Sequence, residues 1–230
     1  MKKILIVAAH PDDEVLGCGA TAAKLSSEGC EVHVILAAEG LTSRQDVRDS
    51  VSLQKELQEL ISTATNANQA LGIKSVEFLG FPDNRMDSLD MLDIVKKIES
   101  KLETFQADEV FTHFPSDLNI DHRLLSEAVL TATRPLPGQK VKKVFFFEVP
   151  SSTDWNFNGA THSYFSPNVF VNVEGFLSKK IQALSFYKSE MRPFPHARSI
   201  ENVENLAKYR GAHVGYRAAE AFMLARELVD

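Results

Sequence analysis

The sequence predicts an α/β fold: a single doubly wound, Rossmann-like domain with a mainly parallel sheet and helices on both faces. Three observations predict it. Short apolar runs alternate with helical segments through most of the 230 residues, and a βαβα order argues for parallel strands joined by crossover helices. The first run, Ile4–Ala9, is apolar at every position, as expected of a strand covered on both faces. Polar clusters follow the predicted strands, and open parallel sheets bind ligands outside the C-terminal ends of their strands.

The elements follow in order. Ile4–Ala9 is the first strand, Glu14–Glu28 a helix and Glu31–Ala37 a second strand. Val47–Leu71 reads as a long helix closed by Gly72, a residue that adopts the left-handed conformation of a C-terminal cap. Ser75–Leu79 is a third strand. Ser88 is placed to cap a helix in which Leu89, Leu92, Val95, Ile98 and Leu102 recur at three- and four-residue spacing. Asp108–Thr112, helix Asp121–Ala132 and strand Val141–Glu148 come next. Pro150–Pro167, with Trp155 and several Ser, Thr, Asn and Gly, reads as a long loop of the kind that forms a lid or binding wall. Val169–Val173 is a further strand, and Glu174–Tyr187 and Ser199–Arg210 read as helices. Between them Met191–Ser199, MRPFPHARS, is a rigid connection carrying Arg192, His196 and Arg198. No internal repeat, low-complexity tract or linker interrupts the chain.

Composition narrows the function. Hydrophobic residues make up 44% and charged residues 24%, and the net charge is -6. That balance offers no bulk attraction for nucleic acid or anionic lipid. The two cysteines, Cys18 and Cys30, form neither a disulfide framework nor a Cys-x-x-Cys pair. Lys2 and Lys3 before an apolar run imitate a signal peptide, but the run is too short and stops at His10-Pro11-Asp12-Asp13. No segment approaches the roughly 18 apolar residues of a membrane span. The expectation is a cytoplasmic protein with a small-molecule partner, no nucleic acid and no membrane. A homo-oligomer is compatible with the sequence and not specified by it.

Two clusters carry the chemistry. His10-Pro11-Asp12-Asp13-Glu14 closes the first strand and opens a helix. Helix capping accounts for Asp13 and Glu14 but leaves His10 unexplained. The second cluster, His113 to His122, adds Asp117, Asn119 and Asp121 between its histidines. If the loops converge over one sheet edge, a His and an Asp from the first and a His from the second make an N2O set. Three protein ligands with one open position are the pattern of a catalytic zinc, and Fe(II) suits the same set.

The stretch Ala9-His10-Pro11-Asp12-Asp13-Glu14-Val15-Leu16-Gly17-Cys18-Gly19-Ala20 resembles the AHPDDExLGxGG hallmark of the LmbE/PIG-L-like deacetylases, zinc hydrolases acting on N-acetylglucosamine-type substrates. Ile120-Asp121-His122 is similar to their second hallmark, a Pro-Asp-His triplet entering a helix. Tyr209-Arg210-Gly211 and Ala219-Glu220-Ala221-Phe222 extend the likeness to about Leu224. The resemblance implies zinc held by His10, Asp13 and His122, with Asp12 as general base in removing the N-acetyl group of an amino sugar or its conjugate. Many members carry a histidine three residues before the last ligand. Here that position is Asn119, which donates a hydrogen bond but has no proton to transfer. Asp12 is therefore expected to take the proton and return it to the amine, with His113 as a second candidate acid. Asp121 is a candidate for orienting a ligand histidine.

Weaker signals surround these. Arg44, Asp83, Arg85, Arg192 and His196 are candidate substrate contacts, and Trp155 and Phe157 candidate sugar-stacking aromatics. His33 and His213 read as structural, and His162 has no assigned role. Gly17, Gly19 and Ala22 fit a loose G-x-G-x-x-A dinucleotide pattern, with Glu39 as the ribose acid. Against that nicotinamide oxidoreductase reading, a pyrophosphate there would face Asp12, Asp13 and Glu14; close helix packing is the plainer role of the glycines. A non-enzymatic carbohydrate-binding module is the remaining alternative, and it leaves the acids and histidines as mere hydrogen bonders.

Overall fold

The computed structural model describes residues 1–44, 46–49, 51–157 and 163–229. His162, and with it the middle of the Pro150–Pro167 loop, lies outside the described residues. The chain runs β1 (Lys3–Ala8), α1 (Asp13–Ser27), β2 (Glu31–Ala38), α2 (Gln54–Ala70), β3 (Ser75–Phe81), α3 (Met91–Phe105), β4 (Glu109–His113), α4 (Ile120–Ala132), β5 (Lys143–Phe147), β6 (Val169–Asn172), α5 (Leu177–Leu184), α6 (Ile200–Ala212) and β7 (Ala219–Glu227). The strands form one seven-stranded sheet in the order β3-β2-β1-β4-β5-β7-β6. β1 to β5 pair in parallel, and β7 runs antiparallel to both of its neighbours.

The continuous apolar run of β1 serves two cores. Because strand side chains alternate between faces, Ile4, Ile6 and Ala8 pack with α1, α2 and α5. Leu5, Val7 and Ala9 pack with α3 and α4 on the other face. Burial of each large aliphatic side chain contributes about 1.5–3 kcal/mol, which favours apolar residues at every position from Ile4 to Ala8. Gly72 (φ 79°) ends α2 as expected. Its N–H bonds the Gln69 carbonyl and the Ile73 N–H bonds that of Asn68, the paired bonds of a Schellman closure.

Three expectations shift. α2 begins at Gln54, not Val47: Val47 and Val51 are exposed, and the Asp49 carboxylate accepts from the Val51 and Ser52 N–H groups in a turn. α3 starts after Asp90; Ser88 closes a 3-10 turn, Met86–Ser88, and its hydroxyl donates to the Arg85 carbonyl. β7 was not expected as a strand. Its sequence, AEAFMLARE, is built of good helix formers, and pairing between β5 and β6 overrides that preference.

α1 is broken at Cys18 (φ -147°, ψ 21°). The freed groups find buried partners from distant elements. Lys180 Nζ on α5 donates to the Leu16 carbonyl at 2.7 Å, and the Glu220 carboxylate on β7 accepts from the Ala20 and Thr21 N–H groups. Lys180 and Glu220 pair with each other at 2.6 Å. Gly17 is required here, because a Cβ would lie 2.3 Å from the Phe147 ring. The glycines expected of a dinucleotide turn are thus inside a packed helix. Among the described residues no helix is long and apolar enough to cross a membrane.

Candidate metal centre

β1 and β4 are neighbours in the sheet, so the loops leaving their C-terminal ends meet. His10 and Asp13 arrive from the first loop, and His122 from the start of α4. Asp13 Oδ2 lies 3.1 Å from His10 Nδ1 and 3.0 Å from His122 Nε2, and the two nitrogens are 3.3 Å apart. Tetrahedral donors at zinc bond lengths of about 2.0–2.1 Å stand roughly 3.3 Å from one another, so the triangle fits a small divalent metal. Asp13 Oδ1 is buried with no hydrogen-bond partner, an orphaned oxygen on the ligand carboxylate.

Each histidine of the triangle is aimed by a carboxylate on its far nitrogen, the arrangement that orients metal-bound imidazoles. His10 Nε2 lies 3.1 Å from Asp121 Oδ2 and 3.3 Å from Asp83 Oδ1. His122 Nδ1 lies 3.2 Å from Asp117 Oδ1. The orienting groups are themselves fixed. Asp121 accepts from the Asn84 and Met86 N–H groups. Asp117 accepts from Ser152 Oγ, Thr153 Oγ1 and the Asn119 N–H. Burial opposes charge on the rings, yet the carboxylates prevail: Asp121 and Asp13 raise His10 to about 10, and Asp13 and Asp117 raise His122 to about 9. The cluster therefore favours positive charge, which a divalent cation supplies by displacing the ring protons.

Asp12 sits beside this set with its backbone at φ 121°, a conformation that costs a non-glycine residue on the order of 1–3 kcal/mol. Buried Glu14 holds it there: Oε2 accepts from the Asp12 N–H at 3.0 Å, while Oε1 accepts from Tyr187 Oη and Asn68 Nδ2, each at 2.7 Å. Arg198 Nη1 donates to Asp12 Oδ2 at 2.6 Å, and Arg198 Nε donates to Ser151 Oγ at 2.7 Å. Burial pushes the Asp12 carboxyl well above its ordinary range, and the Arg198 guanidinium opposes that rise.

The other expected site residues separate. His113 is fully buried and stacks on His122 at 3.8 Å between ring centres. Its Nε2 accepts from the Ala9 N–H, and its Nδ1 has no partner. Burial pushes its pKa well down. Its Nε2 also stands 3.7 Å from Asp13 Oδ2, so it backs the triangle from the strand side. Asn119 caps α4, its Oδ1 accepting from the Asp121 N–H and its Nδ2 donating to Asn84 Oδ1. Asp83 is buried against His10 and the Ser43 N–H. Arg44 spans to Glu190, and Arg85 reaches the Asp46 carbonyl. Arg192 donates to the Ser189 and Met191 carbonyls. His196 packs edge-on against Trp155 and accepts from the Arg198 N–H.

Two residues given no role from sequence, Asp117 and Arg198, touch the centre. Asp117 carried a signal, its place in the polar loop before His122. Arg198 carried none beyond its charge. A cavity of about 340 Å³ lies elsewhere, between the end of α3 and the α4–β5 connection. It contains none of these residues, so donor geometry and not cavity size identifies the centre.

Residues 5–133 match the family model described as PIG-L, GlcNAc-PI de-N-acetylase. The uncharacterized deacetylase YaiS of Escherichia coli (strain K12) is 31% identical over 196 residues, spanning 82% of this chain and 91% of that protein. A probable N-acetyl-alpha-D-glucosaminyl L-malate deacetylase 2 of Bacillus cereus is 22% identical over 191 residues, spanning 82% and 84%. The solved structure of N,N'-diacetylchitobiose deacetylase from Pyrococcus horikoshii shares the fold, with a TM-score of 0.77 at 21% identity over 98% of this chain and 84% of that one. By the extent of the model match and the identity to the E. coli protein, this chain belongs to the PIG-L family.

Proposed function

We propose that the protein is a zinc-dependent N-deacetylase that hydrolyses the acetamide of an N-acetylated amino sugar or its conjugate to the free amine and acetate. The observation that carries this reading is the donor triangle of His10, Asp13 and His122, each histidine aimed by its own carboxylate, with Asp12 beside it. The sugar class is supported by the family description and by the B. cereus relative. The outward step from β1 to β3 and the return to β4 support the doubly wound reading of the sheet. A cytoplasmic location belongs to the same reading and rests on composition alone.

Zinc held by His10, Asp13 and His122 would supply a water acidic enough to ionise near neutral pH and would polarise the acetamide carbonyl; Fe(II) would suit the same donors. The protein supplies the proton path. Asp12 takes one proton from the attacking water as the new C–O bond forms. It returns that proton to the nitrogen as the C–N bond breaks, because an amide anion is too basic to leave unprotonated. Asn119 cannot replace it as the acid, and His113 is sealed behind His122. The alternatives explain less: a dinucleotide has no turn to bind, and a plain sugar-binding module needs no buried, carboxylate-oriented histidine pair.

The test is metal content per chain for wild type and His122→Ala, followed by acetate release from N-acetylglucosamine and its conjugates. Metal in the wild type that the variant loses, together with acetate release, supports the reading. Wild type that takes up no zinc or iron on reconstitution overturns it.

A further inference from the structure

Arg198 lies 186 positions from Asp12 in sequence, yet one guanidinium joins three parts of the centre. Nη1 bonds Asp12 Oδ2, Nε bonds Ser151 Oγ, and Nη2 stands 3.9 Å from the orphaned Asp13 Oδ1. The arginine is itself held, its N–H donating to His196 Nδ1, and His196 is braced by Trp155. Ser199, the next residue, caps α6 by accepting from the Asn202 N–H, which fixes where the loop ends. Ser151 meets the guanidinium from a left-handed backbone position, φ 70°.

We infer that Arg198 is a positioning residue for the deacetylation: it holds one oxygen of Asp12 so that the carboxylate faces the attacking water in a single orientation. This rests on the function proposed above. Asp12 itself has a strained backbone, φ 121°, and precedes Asp13 of the metal set, so its side chain needs a partner outside its own loop to select a rotamer. A planar, forked donor does this better than an ammonium. The two bonds, to Asp12 and Ser151, leave from different nitrogens of one rigid plane, so the Ser151 contact sets the direction of the Asp12 contact. The Arg198 guanidinium donates to none of His10, Asp13 and His122 at hydrogen-bonding distance, standing 3.9 Å from Asp13 Oδ1. Its loss should therefore spare metal binding.

The experiment compares Arg198→Ala and Arg198→Lys with wild type for kcat, KM, bound zinc and melting temperature, using the substrate that gives wild-type acetate release. Arg198→Ala should keep wild-type zinc and a KM within about twofold, and lose about 10- to 100-fold in kcat, the usual cost of removing a partner of a site residue. Arg198→Lys should recover part of that loss while remaining below wild type. Wild-type kcat in Arg198→Ala overturns the inference. So does a kcat loss that tracks loss of zinc or of folding in both variants, and so does a raised KM with intact kcat, which would make Arg198 a substrate contact. Wild type without acetate release from any N-acetyl sugar fails the proposed function itself, a result separate from all of these.

Discussion

The loops at the two ends of the chain make an instructive pair. His10–Glu14 and Met191–Ser199 both carry dense charge and proline, and both lie beside the metal centre. In the first, neighbouring residues divide the work. His10 and Asp13 face the donor triangle, Asp12 stands beside it, and Glu14 turns inward to hold the Asp12 backbone. In the second, Arg192 and His196 bond within their own neighbourhood and only Arg198 reaches the centre. The difference comes from what precedes each loop. A buried parallel strand delivers the first to the sheet's C-terminal edge, where every residue has a determined direction. The second follows a short helix that packs on α1 and α2 and is not the continuation of a strand, and its side chains find their partners singly.

That contrast can be tested from its largest consequence downward. Asp12→Asn should retain metal and lose about 10²- to 10⁴-fold in kcat, the range of a general acid–base group; single-turnover acetate release measures it, and wild-type turnover would place the base elsewhere. Asp117→Asn should weaken zinc about 10- to 100-fold by releasing the His122 ring, read by competition with a chelator. Glu14→Gln sets an amide N–H₂ against donors from Tyr187, Asn68 or Asp12. Urea unfolding should show a loss of about 1–3 kcal/mol, the cost of an unsatisfied buried group. If the variant is as stable as wild type, the first loop is less tightly determined than the comparison holds. Arg192→Ala should leave kcat and KM within about twofold, as an exposed surface change does. A large effect from Arg192→Ala would show that more than one residue of the second loop serves the site.

The smallest effect serves as a reference far from both loops. Lys74, with His33, holds the Glu31 carboxyl down to about 2 from 4.5. A carboxyl depressed on folding stabilises the protein above its unfolded pKa and loses that contribution as pH falls through the folded one. The Glu31→Gln deficit in urea midpoint should be present at pH 7 and fade between pH 4.5 and about 2. A deficit that persists below that window would reject the ion-pair account.

Much of the centre was legible before any coordinates. His10, Asp12 and Asp13 follow a run that can only be a doubly covered strand, and His122 enters a helix just after another such strand. Asp121 as an orienter of a ligand histidine was also legible, though not that the histidine is His10. β7 was not legible, because Ala, Glu, Met, Leu and Arg favour helix locally, and only the open edges of β5 and β6 make the segment extended. The surroundings of His113 were not legible for a related reason: its type and position suit an acid, and only tertiary structure sets it against the Ala9 N–H and the His122 ring.

By itself the sequence determined the parallel core and the positions from which the candidate metal ligands project, because buried strands need unbroken apolar runs and leave polar residues only at their ends. Tertiary structure alone decided which nitrogen of each histidine faces the triangle, which carboxylates aim them, and that Arg198 rather than Arg192 meets Asp12. The His10–Asp121 and Arg198–Asp12 contacts join residues 111 and 186 positions apart, and no local pattern encodes a direction across that distance.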